Sequence, residues 1–61
     1  MRFEYKKIHP SLHHAYKDGV LIATFRKAKV SDGMPWWVLG PGVDFRASTL
    51  RNAKHILEWK T

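Results

Sequence analysis

Four histidines and five carboxylates are the first residues to ask about chemistry. His9, His13 and His14 are spaced so that two or three of them could ligate a metal if the segment after Pro10 turned helical, with His55 joining from further along the chain. The chain has no cysteine, however, and no carboxylate sits where it would orient an imidazole ring, so surface histidines are the better reading and no metal is expected. Ser11, Ser31 and Ser48 lack the Asp/His pattern of an activated nucleophile, and the carboxylates show no pairing for acid/base work. Gly40-Pro41-Gly42 is not a phosphate loop, because Pro41 removes a backbone N–H and no Gly-Lys-Ser/Thr follows. No catalytic residue and no cofactor are expected.

Binding chemistry is better represented. On a strand Trp36 and Trp37 must point to opposite faces, so that if one joins the core the other is available for stacking or for an interface. Arg26, Lys27 and Lys29 form a basic cluster that Lys17 is expected to join across the Asp18-Gly19 hairpin, with Arg51 and Lys54 adding charge from a helix. Lys plus Arg is 11 against 5 for Asp plus Glu, a net charge of +6 on 61 residues, which favours an anionic partner through counterion release.

The elements that position these residues follow from periodicity. Arg2 to Ile8 alternates loosely until Pro10 and is a candidate edge strand. Leu12 to Lys17 is extended and meets Asp18-Gly19, a pair suited to a tight hairpin turn. Val20 to Lys27 returns as a central strand, apolar on both faces for most of its length. After the turn cluster Ser31 to Pro35, Trp36-Trp37-Val38-Leu39 forms another strand that Gly40-Pro41-Gly42 terminates. Ser48 is the expected N-cap of a helix over Thr49 to Lys60, which carries Leu50, Ala53, Ile56 and Leu57 on one stripe. The expected fold is α+β, a three-stranded antiparallel sheet with a candidate extra N-terminal strand and one C-terminal helix packed on one face. Val20 and Ile22 then stand beside one tryptophan on the uncovered face, an apolar patch that invites self-association or a protein partner.

The run Asp18-Gly19-Val20, Phe25-Arg26-Lys27, Trp36-Trp37-Val38, Phe45 and Ser48 to Lys54 resembles the layout of AP2-like DNA-binding domains, such as the N-terminal arm-binding domains of phage-type integrases. The resemblance implies a three-stranded sheet laid in the major groove and backed by a helix. A free-standing protein of this layout is equally compatible with a small phage product acting on a host protein.

A single domain of this length buries only about 60% of its unfolded surface, which keeps the core small. A hydrophobic fraction of 44% with 13% aromatic residues is nevertheless ample for folding. Apolar runs such as Val20 to Ala23 are far too short to span a membrane, and the residues after Met1 lack a secretory apolar region. The chain reads as a complete small cytoplasmic product, in the host cytoplasm if phage-encoded. Two function classes stay open. One is a non-enzymatic nucleic-acid-binding protein, with DNA ahead of RNA, that uses Arg26, Lys27, Lys29, Arg51 and Lys54 on phosphates and a tryptophan on bases. The other is a modulator that binds an acidic host protein through an apolar sheet face rimmed by basic residues.

Overall fold

The computed structural model describes residues 2–61. Five strands, β1 (Phe3–His9), β2 (Leu12–Lys17), β3 (Val20–Lys27), β4 (Trp36–Gly40) and β5 (Val43–Ala47), precede one helix, α1 (Leu50–Lys60). The strands lie side by side in chain order and every neighbouring pair is antiparallel, so the sheet is a simple meander with β3 at its centre. The fold is α+β with the C-terminal helix expected from the sequence, but the sheet has five strands rather than three.

The candidate N-terminal strand is β1, and Pro10 follows it in the link to β2, where Ser11 N–H donates to His9 Nδ1 at 3.2 Å. The strand not expected is β5, because Gly40-Pro41-Gly42 ends β4 but not the sheet. Pro41 takes the position whose φ it already fixes, Gly42 adopts φ +70, and the chain reverses so that Gly40 pairs with Val43 and β5 begins. The Asp18-Gly19 hairpin is as expected, with both residues at positive φ, 52 and 83. The Asp18 carboxylate also accepts from Arg2 N–H at 2.9 Å, which ties the start of β1 to this turn.

One face of the sheet carries Ala15, Ala23, Phe25, Trp36, Val38, Val43 and Ala47, all buried, and α1 lies on it through buried Ala53 and Leu57 with Leu50 and Ile56 beside them. Alanines on β2, β3, β5 and the helix let the backbones approach closely, and Phe25, Val38 and Leu57 fill the centre. The helix N-cap is Thr49 and not Ser48. Thr49 is extended, and its Oγ1 accepts from Asn52 N–H at 3.0 Å, whereas Ser48 Oγ accepts from the Asn52 side-chain amide. At the other end Thr61 caps Leu57 O, and Lys17 Nζ reaches across from β2 to Thr61 O at 2.8 Å. Among the described residues no helix is long and apolar enough to cross a membrane.

β3 is not sandwiched between two covers. Ala15 pairs with Ala23 but Tyr16 pairs with Leu21, leaving Ile22 as the extra residue of a bulge. The double apolar face read from Val20 to Lys27 is the trace of that bulge, since side chains before and after it change faces. Ile22 is half-buried against the core and Val20 is exposed at the hairpin end. Gly40 accommodates the bulge: a Cβ there would overlap the Ile22 carbonyl oxygen and stand 3.1 Å from Ala23 Cα.

Candidate functional site

With Phe25, Val38 and Ala47 committed to the helix side, strand alternation sends their neighbours to the uncovered face. The registers place Leu12, Arg26, Trp37 and Arg46 in one cross-strand row, and Lys6, His14, Thr24, Leu39 and Asp44 in the next. Trp37 therefore stands between two arginines on adjacent strands. Of the two tryptophans, Trp36 is the core residue at 7% exposure and Trp37 the surface one at 37%.

A shallow open depression of about 230 Å³ is lined by Arg26, Lys27, Ala28, Trp37 and Leu39. A second, lined by His9, Ser11, Leu12, His14 and Thr24, shares Arg26 and Lys27 with the first; the Arg26 side chain stands on the open face between the two hollows, whereas Lys27, the partner of buried Trp36, turns to the helix side. Arg46 holds the far side of Trp37: its guanidinium lies 4.8 Å from the ring centre, and Nη2 pairs with the Asp32 carboxylate and donates to Met34 O at 3.0 Å. Asp32 also accepts from Met34 N–H, and this bond together with Arg46 lowers the Asp32 pKa below its usual value. Residues 28–35, which carry Lys29, are thereby fastened beside Trp37. Arg46 Nε is buried without a partner.

The remaining sequence candidates are dispersed. Lys17 is not near Arg26. The hairpin turn lies at the start of β3, so Lys17 pairs with Val20 while Arg26 pairs with Leu12, roughly 20 Å away at about 3.3 Å per residue. Its ammonium is moreover engaged by Thr61 O and the Phe3 ring. The same distance separates Val20 from Trp37, so Val20 and Ile22 do not form a patch beside the tryptophan; Leu39 is the exposed apolar residue next to it. Arg51 and Lys54 belong to the helix, behind the sheet, where Lys54 lies 4.7 Å over the Tyr5 ring. Lys27 extends over buried Trp36 at 5.9 Å.

The histidines do not converge. His13 is buried on the helix side, edge-on to Trp36 at 5.5 Å, and its pKa is lowered by burial and then by Lys54. His14 is on the open face near Tyr16, His9 contacts Ser11, and His55 lies on the outer side of the helix. No group of three or more His, Asp or Glu side chains suited to a metal ion occurs among the described residues. The Ser11 Oγ to His9 Nδ1 contact at 2.9 Å is local to a turn, and the same nitrogen already accepts from Ser11 N–H. On the helix side Tyr5 donates to Glu58, and burial followed by this bond raises its pKa.

Sequence reading missed Lys6, His14, Leu39 and Arg46 as members of the open face. Arg46 was legible in principle, since Val-Asp-Phe-Arg-Ala after Pro-Gly alternates like a strand. Trp59, at 82% exposure near the helix end, is a further exposed aromatic. Comparison with protein-family models, curated proteins and solved structures gives no match for this chain.

Proposed function

We propose that this protein binds nucleic acid, DNA in the first instance, through the uncovered face of its sheet and without catalysis. The observation that carries the reading is the row Arg26, Trp37, Arg46, in which a half-exposed indole is flanked by cations on both neighbouring strands beside an open hollow. Indole offers a stacking surface and the exposed Arg26 guanidinium offers a phosphate partner, while Arg46, paired with Asp32, holds the ring in place. The +6 net charge supports an anionic ligand. Arg26 and Lys29 belong to this footprint; Lys27, which turns toward Trp36 on the helix side, and Arg51 and Lys54, behind the sheet, do not.

A second reading has its own support in the exposed Leu39, Leu21 and Trp37, which would suit a phage-encoded modulator of an acidic host protein. Capture from lysate with and without nuclease treatment separates the two. Loss of the captured material on nuclease treatment is expected. A protein that stays bound after it would replace the nucleic-acid reading by the second one.

A further inference from the structure

We infer that the open face takes single-stranded nucleic acid laid across the sheet, rather than entering the major groove of a duplex; the inference rests on the nucleic-acid reading above. Five strands at about 4.8 Å spacing place the outer strand axes about 19 Å apart, against a B-DNA major groove about 12 Å wide. Arg26 and Trp37 sit on β3 and β4, in the interior of the sheet and not along an edge. For a duplex to reach them the groove would have to admit the flanking strands as well.

A single strand has no such width requirement, because its unpaired bases can be splayed onto a flat surface. The open face has aromatic groups on two separated strands, Trp37 on β4 and the His14–Tyr16 pair on β2, whose rings are 6.4 Å apart. Between and beside them stand Arg26 on β3 and Lys6 on β1. Stacking platforms that alternate with cations are what a strand of bases and phosphates needs. Arg46, anchored by Asp32 and Met34, backs the Trp37 ring and limits its rotation.

The test compares binding of short oligo(dT), short oligo(U) and a blunt duplex at one salt concentration, by anisotropy of the labelled nucleic acid. Trp37 emission is read as the difference between the Trp59→Phe protein and the Trp37→Phe/Trp59→Phe protein, because Trp36 emits in both. Single strands are expected to bind more tightly than the duplex and to quench the emission, and the tighter of oligo(dT) and oligo(U) identifies DNA or RNA as the source. Trp37→Ala should weaken single-strand binding by about 5- to 150-fold while Trp37→Phe keeps most of it. Arg26→Glu, at an exposed position, provides a second variant whose fold circular dichroism can verify. Duplex binding as tight as single-strand binding overturns the inference while leaving the nucleic-acid reading intact; single-strand affinity untouched by Trp37→Ala and Arg26→Glu removes this face from the footprint and overturns both. Failure of all three probes to bind overturns both.

Discussion

The Arg46 guanidinium lies 4.8 Å from the centre of the Trp37 ring, directly across the β4–β5 pairing. That contact joins three parts of the chain that are separate in sequence, because the same guanidinium pairs with Asp32 and reaches Met34 O. Arg46→Ala should release residues 28–35 and free the indole, with the ring contact alone worth about 0.5–1 kcal/mol. Faster proteolysis of that loop and a red-shifted emission in the Trp59→Phe background, where buried Trp36 and surface Trp37 are the remaining tryptophans, are the expected readouts. Arg46→Lys keeps the charge but not the two-partner fork, and should restore only part of the effect.

Arg26 stands between both hollows on the open face, whereas its neighbour Lys27 turns to the helix side over Trp36. Arg26→Ala should weaken nucleic-acid binding and reduce the slope of log affinity against log salt by about one unit, for one lost phosphate contact. Lys27→Ala, on the opposite face, and Lys17→Ala, at the far end of β2, should leave that slope unchanged. Equal effects of all three substitutions would mean that the charge acts only as a diffuse field.

Gly40→Ala should destabilise the fold by roughly 1–3 kcal/mol, because the added methyl meets the Ile22 carbonyl of the bulge, a backbone atom that cannot step aside. Gly33→Ala is the informative contrast. At that position a Cβ meets nothing within 4 Å, and the cost comes from φ +79 alone. Chemical denaturation of both variants distinguishes collision from backbone strain.

His13 makes stability depend on pH in a defined direction. Its pKa in the fold lies below the ordinary histidine value of 6.5, through burial first and Lys54 second. As pH falls below 6.5 the unfolded chain therefore takes up a proton that the folded chain resists, and stability declines until the folded pKa is passed. Above 6.5 the residue is neutral in both states and contributes no slope. His13→Phe, which preserves an aromatic edge toward Trp36, should flatten the melting temperature in the acidic window and leave it unchanged in slope at higher pH.

Leu57 is fully buried between the helix and the sheet. Leu57→Ala should cost about 2–5 kcal/mol, which in a domain this small approaches the whole stability. Ile22→Lys should also destabilise, since Ile22 packs against the core, whereas Leu39→Lys on the open face should leave the melting transition nearly unmoved.

Local chemistry was enough to recognise several elements. The Asp18-Gly19 turn, the helix stripe Leu50, Ala53, Ile56 and Leu57, and the opposition of Trp36 to Trp37 depend on residues within a few positions of one another, where backbone sterics and side-chain period act directly. The sequence by itself therefore determined an α+β chain with a central Val20 to Lys27 strand, a C-terminal helix and one outward tryptophan. Which tryptophan that was, and what stood beside it, depended on register. The bulge at Ile22 shifts the apolar positions of β3, the Pro41-Gly42 turn brings Arg46 next to Trp37, and the hairpin polarity carries Lys17 about 20 Å away from Arg26. Only the tertiary structure decided these relationships, because each is a pairing between strands whose partner choice depends on the packing of Ala23, Gly40 and the helix against the whole sheet and is not encoded in any one segment.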